Sequence, residues 1–268
     1  MKKVGWLLLW MACVIIFFTG CSFLKEGGKD KGQIEKKEKK MTTSSAATTE
    51  AKQEEKKLIA IDAGHQEQQN SQLEPIGPGA SEKKIKVSSG TEGVETGVPE
   101  YKVNLQVSQK LKKIFQQRGY EVLMIREKND VDLSNRERAQ IANEANADIF
   151  LRIHCNSAES SLVNGALTLC PNSENPYCDS GMIEKSSLLS ELVLEQLCRN
   201  TGAKKLSIIR TSDMSGINWC KIPVTIVEMG FMSNPEEDEK LNQESYQELL
   251  AEGIADGVDT YFEKGMEE

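Results

Sequence analysis

Short apolar runs and longer amphipathic patterns alternate along most of this 268-residue chain. The apolar runs have the length of strands, and the patterns between them repeat with the period of a helix. Such alternation is typical of an α/β domain, in which helices cover the faces of a sheet. We predict strands at residues 58–62, 120–125, 147–154, 165–169 and 224–227, and helices at residues 100–119, 133–145, 183–200 and 246–262.

The clearest helical pattern lies at residues 100–119. Pro99 suits the helix start and Gly119 suits its C-terminal cap. Its apolar positions recur every 3.6 residues or so, and they are Val103, Val107, Leu111, Ile114 and Phe115. Residues 66–99, by contrast, are rich in glycine and proline. We predict a long irregular loop there, which is either functional or disordered.

The N-terminal part has a different composition. Residues 1–21 join two lysines to an apolar run that ends in Phe-Thr-Gly-Cys. This end resembles a bacterial lipobox, so we predict a lipoprotein signal peptide with lipidation at Cys21; the alternative is a retained anchor helix. Residues 22–56 have almost no large apolar side chain and are predicted to be a flexible linker. Residues 57–268 would form a single domain, tethered to the outer face of the cytoplasmic membrane.

Charge distinguishes these parts further. Residues 1–56 carry a net charge of +4, whereas residues 57–268 carry −12. The basic part would lie beside an anionic bilayer and the acidic domain away from it. A domain of this charge is a poor candidate for binding nucleic acid.

The two histidines of the chain both follow predicted strands. His65 comes just after the run Leu-Ile-Ala-Ile-Asp, and His154 ends the run Ile-Phe-Leu-Arg-Ile. A single histidine is more often a satisfied or surface residue than a ligand. Two histidines at strand ends, where α/β sheets usually have their catalytic and ligand-binding residues, indicate a metal site.

A zinc hydrolase needs a third protein ligand and a nearby carboxylate that does not bind the metal. We choose Glu100 as the ligand because a helix start is a rigid place from which to aim a side chain. Glu228 ends an apolar strand, where a buried carboxylate either pairs with a cation or does acid–base work. The structural alternative for Glu228 is a glutamate bonded to neighbouring backbone or to an arginine. Other candidate ligands are Glu82, Glu92, Glu95 and Cys155, although strand neighbours such as His154 and Cys155 point to opposite faces.

Five short motifs occur in the order found in a known family. They are Ile61–His65, Glu100 with Asn104-Leu105 and Arg118–Val122, Arg136–Asn143, Ala147–Asn156 and Val227–Asn234. On these motifs the chain resembles the zinc-dependent N-acetylmuramoyl-L-alanine amidases, which cleave bacterial peptidoglycan. The resemblance covers residues 57–263.

The resemblance implies a zinc ion held by His65, Glu100 and His154, with Glu228 as the catalytic glutamate. It also implies a single α/β domain with a mixed, roughly six-stranded twisted sheet flanked by helices, similar to zinc carboxypeptidases. The expected substrate is the amide between the lactyl group of N-acetylmuramic acid and L-alanine. The chain departs from the family pattern in two respects. Residues 66–99 offer several extra glutamates before the helix, so the choice of Glu100 depends on how the helix aligns. Arg152 stands where many relatives have a small residue, and Cys155 follows the second histidine.

Other functions are compatible with parts of the sequence. A zinc peptidase of carboxypeptidase type would cleave stem peptides and leave the lactyl amide intact, and a non-catalytic wall-binding lipoprotein would need no complete site. Ser81 and Lys84 have the Ser-x-x-Lys spacing of penicillin-binding enzymes, but no Lys-Thr-Gly follows. An activator protein, of unknown kind, would be a further partner.

Five cysteines follow Cys21, and an odd number leaves at least one thiol unpaired within the chain. Cys170 and Cys178 flank a turn-rich stretch and could form a bridge in an oxidising exterior. The others are Cys155, Cys198 and Cys220.

Overall fold

The computed structural model describes residues 56–265. The predicted signal peptide, Cys21 and nearly all of the linker lie outside the described residues. The strands are β1 (Leu58–Ala63), β2 (Asn70–Pro75), β3 (Lys83–Val87), β4 (Glu121–Met124), β5 (Ile149–Asn156), β6 (Ala166–Pro171), β7 (Lys205–Thr211) and β8 (Val224–Phe231). The helices are α1 (Glu100–Gln117), α2 (Asn135–Glu144), α3 (Ser180–Thr201), α4 (Ser215–Asn218), α5 (Pro235–Leu241) and α6 (Glu244–Gly265).

Six strands form one mixed sheet in the order β4-β1-β5-β8-β6-β7. The four strands from β4 to β8 in this order run parallel, while β6 pairs antiparallel with β8 and β7 runs parallel to β6. The carboxyl ends of β1, β5 and β8 therefore meet at one edge. The prediction of a mixed six-stranded sheet in a single α/β domain is confirmed.

Both faces of the central strands are buried, which explains their nearly continuous apolar runs. In β5, Leu151 and Ile153 pack with α1, α3 and α6 on one face, whereas Phe150 packs with α2 and α4 on the other. The helices α3 and α6 approach each other closely. A Cβ added at Gly257 would lie 2.5 Å from the Cα atom of Val193, so only glycine fits there.

Local signals set the helix ends. Ser134 and Glu137 form a reciprocal capping box at the start of α2. Asp179 caps α3 by accepting a hydrogen bond from the backbone of Met182, and Gly202 ends that helix with a φ of 70°. The four predicted helices are confirmed, with ends that differ by up to three residues. Among the described helices, none is both long and apolar enough to cross a membrane.

The prediction of an irregular loop at residues 66–99 is wrong in part. This stretch contains the antiparallel hairpin β2–β3. In this hairpin Leu73 and Ile85 are exposed whereas Glu74 is buried, so the sequence lacks the usual alternation of a half-buried strand. Strand β7 was also missed, because it is an edge strand with mostly exposed or half-buried side chains. The proposed Cys170–Cys178 bridge is not formed, since all five cysteines within the described range are free thiols.

Candidate metal centre and active site

The end of β1 delivers the first histidine to the carboxyl edge of the sheet. The chain turns at Gly64, where an added Cβ would lie 2.2 Å from Cε1 of His154. The second imidazole, from the neighbouring strand β5, therefore packs directly on the backbone of Gly64. His65 itself has a φ of 60°, a left-handed conformation that is uncommon for a residue with a side chain.

Two buried arginines hold this turn. Arg126 donates to the carbonyl oxygens of Ala63 (2.7 Å) and Gly64 (3.1 Å). Arg138 donates to the carbonyls of Ala63 and His65, both at 3.1 Å. These bonds satisfy the buried carbonyls of the turn and fix the backbone that carries His65.

A buried carboxylate anchors the second arginine. Asp62 accepts hydrogen bonds from Nη1 of Arg138 (2.6 Å) and from Nε of Arg152 (3.0 Å), and Arg152 also donates to Asn135 (2.7 Å). Burial opposes the charge of Asp62, but the two guanidinium groups outweigh it and hold the pKa of Asp62 well below its usual range. Arg152, which departs from the family pattern, thus has a defined partner.

Glu100 begins α1 and is only 2% exposed. Its Oε1 accepts hydrogen bonds from the side chain of Asn104 (3.0 Å) and the backbone of Cys155 (3.1 Å), and its Oε2 accepts one from the backbone of Thr91 (3.0 Å). The carboxylate therefore has a fixed orientation before any ligand binds.

Glu100 also joins the two imidazoles. Its Oε2 lies 3.3 Å from Nε2 of His65, and its Oε1 lies 3.3 Å from Nδ1 of His154. Burial raises the pKa of Glu100, but the contacts with His154 and His65 outweigh it and keep this pKa well below the usual range. Burial also lowers the pKa of His154 to about 4, so its imidazole is neutral at pH 7, as a metal ligand must be.

One donor atom from each of the three side chains lies within 4.8 Å of the others. Two histidines and one glutamate are a donor set that zinc uses in hydrolases, and donors of a tetrahedral zinc lie roughly 3.3 Å apart. Each imidazole has a ring nitrogen 3.3 Å from one carboxylate oxygen of Glu100, Oε2 for His65 and Oε1 for His154, which is close to this spacing. The residues present therefore fit a zinc ion.

The rival ligands lie elsewhere. Glu82, Glu92 and Glu95 are exposed, and none of them belongs to the cluster. Cys155 packs in the core on the face opposite His154, and burial raises the pKa of its thiol well above the usual value. The cysteine is therefore a neutral core residue, as its strand position predicts.

Glu228 lies beside the cluster on β8. It is the register partner of His154 on β5, and neighbours of this kind in parallel strands face the same side of the sheet. Its Oε2 is buried without a hydrogen-bond partner, as is Nε2 of His154. Burial and, secondarily, repulsion from Glu100 raise the pKa of Glu228 to about 8, against a smaller opposing effect of Arg152. A carboxyl group with such a pKa exchanges its proton near neutral pH.

The sequence had singled out the four residues that meet here, but it missed their support. Asn104 and Arg138 lie within the predicted helices and family motifs without a role of their own, and Arg126 follows the predicted strand at residues 120–125. The one signal that could have found such partners is a polar residue, Asp62, at the end of a buried strand, since a buried charge requires an opposite charge.

The site remains open to solvent. The side chains of His65 and His154 are 17% and 12% exposed, and Glu228 is partly exposed as a residue. The hairpin β2–β3 leads into Ser88, which contacts Nδ1 of His65. An α/β sheet with such a cluster at its carboxyl edge is typical of metal-dependent hydrolases.

The N-acetylmuramoyl-L-alanine amidase family model matches residues 59–260. This match covers most of the chain, and the chain belongs to that family. The amidase LytC of Bacillus subtilis is 30% identical over 169 residues, which are 63% of this chain and 32% of LytC. The chain thus matches about a third of the length of this relative.

Two solved structures share the fold. The catalytic domain of the amidase CwlV from Bacillus (Paenibacillus) polymyxa var. colistinus has a TM-score of 0.62 and 27% identity, over 77% of this chain and 98% of that one. The amidase Ami1 from Mycobacterium smegmatis has a TM-score of 0.70 and 20% identity, over 78% and 97% of the two chains. The resemblance inferred from short motifs is therefore confirmed at the level of family and fold.

Proposed function

We propose that this protein is a zinc-dependent N-acetylmuramoyl-L-alanine amidase that cleaves the lactyl–alanine amide of peptidoglycan. The observation that carries the proposal is the convergence of His65, Glu100 and His154 beside the unpaired carboxyl oxygen of Glu228. Family membership supplies the substrate class.

His65, Glu100 and His154 would hold the zinc ion. When bound, zinc supplies a Lewis acid that polarises the scissile carbonyl and makes an attacking water more acidic. Glu228 accepts the proton of the water and then transfers it to the leaving nitrogen of L-alanine. The fixed carboxylate of Glu100 and the buried arginines keep the two imidazoles in position without reorganisation.

The second candidate, a carboxypeptidase-type activity, would need a free cation for the terminal carboxylate of its substrate. Three buried arginines near the site are already engaged by the chain's own acceptors. Arg126 and Arg138 bond the turn carbonyls, and Arg152 bonds Asp62 and Asn135. This favours the amidase.

The test is to incubate the purified protein with peptidoglycan, with and without a chelator, and to identify the products by mass spectrometry. We expect stem peptides with a free N-terminal alanine, lost on chelation and restored by zinc. Glu228→Gln, which keeps the shape of the side chain, should bind zinc but lose turnover by at least about 100-fold. Cleavage within the stem peptide, or a Glu228→Gln variant with near-normal turnover, would reject the assignment.

We further propose that residues 1–21 are a lipoprotein signal peptide, that Cys21 carries the lipid and that residues 22–56 space the domain of residues 57–268 from the membrane. The lipobox-like end and the spacer composition support this. Cys21→Ser should abolish labelling with a fatty-acid analogue and release the protein from the membrane fraction, where the Cys198→Ser variant should remain.

A further inference from the structure

The hairpin β2–β3 is inserted between the two candidate ligands His65 and Glu100, and its end contacts the first of them. Ser88 directly follows β3. Its carbonyl oxygen lies 3.0 Å from Nδ1 of His65, and its Oγ lies 3.1 Å from the same nitrogen. One residue of the hairpin thus supplies both polar neighbours of this ring nitrogen.

These contacts select a tautomer of His65. A carbonyl oxygen can only accept, so the hydrogen of the neutral imidazole is held on Nδ1. Nε2, which lies 3.3 Å from Oε2 of Glu100, is then left with a lone pair for a metal ion whose charge also offsets that carboxylate. A metal-binding histidine commonly has this arrangement, with its other ring nitrogen bonded to a carbonyl or carboxylate that fixes the ring.

The hairpin itself is fastened to the helices on the α2 face of the sheet. Glu74 is 5% exposed, and its Oε1 accepts a hydrogen bond from the backbone of Arg136 (3.0 Å) at the start of α2. Asn135 donates to the carbonyl of Lys86 (2.9 Å), two residues before Ser88. Trp219, just after α4, donates to the carbonyl of Pro75 (2.9 Å).

From these contacts we infer that the hairpin is a positioning element of the metal site, which sets the tautomer and orientation of His65 through Ser88. The inference rests on the proposed function, because it assigns His65 to the metal. The left-handed backbone of His65 adds to the need for such support, since a strained residue persists only where its surroundings hold it. Zinc affinity then depends on a residue as remote from the ligands as Glu74.

Two pairs of variants of the full-length protein test this. Ser88→Ala removes the hydroxyl, and Ser89→Ala is its control on the exposed neighbouring residue. Glu74→Ala loosens the hairpin, and Glu82→Ala is the control in the exposed turn of the same hairpin. Zinc affinity is measured by competition with a chelator, and a melting curve for each variant establishes that it is folded.

We expect both control variants to bind zinc as the wild type does. Ser88→Ala should bind about tenfold more weakly and Glu74→Ala between about tenfold and 100-fold more weakly, the usual cost of losing an outer partner of a ligand. Ser88→Thr, which keeps a hydroxyl, should restore the affinity. If Glu74→Ala does not fold, the Ser88 variants decide the question.

The tautomer is read by ¹H–¹⁵N NMR of the imidazoles in the zinc-loaded wild type, because without the metal the carboxylate of Glu100 competes for the imidazole hydrogen. The chain has two histidines, so the signals of His65 are assigned by their loss in His65→Gln. We expect the hydrogen on Nδ1. An Nε2–H tautomer, or wild-type affinity in both Ser88→Ala and Glu74→Ala, would overturn the inference. A wild type that binds no zinc would instead reject the proposed function, and with it the assignment of His65 to a metal.

Discussion

Gly64→Ala tests the geometry of the metal site with a single methyl group. The backbone of Gly64 is not left-handed, so alanine brings no backbone strain there. Its Cβ would lie 2.2 Å from Cε1, 2.3 Å from Nε2 and 2.6 Å from Nδ1 of His154. The imidazole must therefore move.

The size of the effect follows from these distances. Restoring an ordinary contact of 3.4 Å requires a displacement of about 1 Å, and a displacement of that size costs roughly 100-fold in a catalytic site. Metal–ligand distances tolerate only about 0.2 Å. We expect zinc affinity to fall by at least about 100-fold, or roughly 3 kcal/mol, and amidase activity to fall with it.

The assay is chelator competition, with Gly181→Ala as the control. Gly181 lies in the first turn of α3, and its added Cβ would meet Asp179 at an ordinary 3.4 Å. This control should keep wild-type affinity and activity. A Gly64→Ala variant that binds zinc normally would refute the assignment of His154 as a ligand in the orientation seen here.

Three further predictions concern stability without zinc. Burial and Glu100 raise the pKa of Glu228 from 4.5 to about 8, so between these pH values the native state binds a proton that the unfolded state does not. The melting temperature of the wild type should therefore fall relative to that of Glu228→Gln as pH rises through this window. A difference in melting temperature that stays constant with pH would contradict this. Asp62→Asn leaves two buried guanidinium groups uncompensated and should lower the free energy of unfolding in denaturant by about 3–5 kcal/mol. A loss below about 1 kcal/mol, typical of an exposed ion pair, would show that Asp62 and its arginines are not buried as described. Gly257→Ala forces α6 away from Val193 and should lower the free energy of unfolding by about 1–3 kcal/mol, while zinc affinity stays unchanged. An unchanged melting temperature would argue against the close contact between α3 and α6.

The sequence predicted the candidate site better than its surroundings, for a physical reason. Parallel strands bring their carboxyl ends to one edge, so polar residues at strand exits converge even when the register is unknown. This convergence is why His65 and His154 can be chosen from the sequence as candidates. Glu228 is a candidate because burying a carboxylate at a strand end is costly. Glu100 joins them because α1 begins at the same edge of the sheet.

The hairpin and the arginines could not be predicted in this way, because partners distant in the sequence determine them. Strand β2 has the sequence Asn-Ser-Gln-Leu-Glu-Pro, which has little strand propensity. It is held by bonds from residues more than 60 positions away, such as that from Arg136 to Glu74. Arg138 lies on a polar helix whose pattern suggests a solvated face, yet its side chain is fully buried against Asp62.

The same charges explain why the metal and the acid–base group would act as a unit. In the protein alone, the main effects on Glu228 are burial and the charge of Glu100, which raise its pKa to about 8 and favour the protonated carboxyl at neutral pH. A protonated carboxyl cannot accept a proton from water. A divalent cation held by Glu100 and the two histidines would offset the charge of Glu100 and favour ionised Glu228. A bound metal would thus increase the ionised fraction of Glu228 and make the carboxylate a better base at neutral pH.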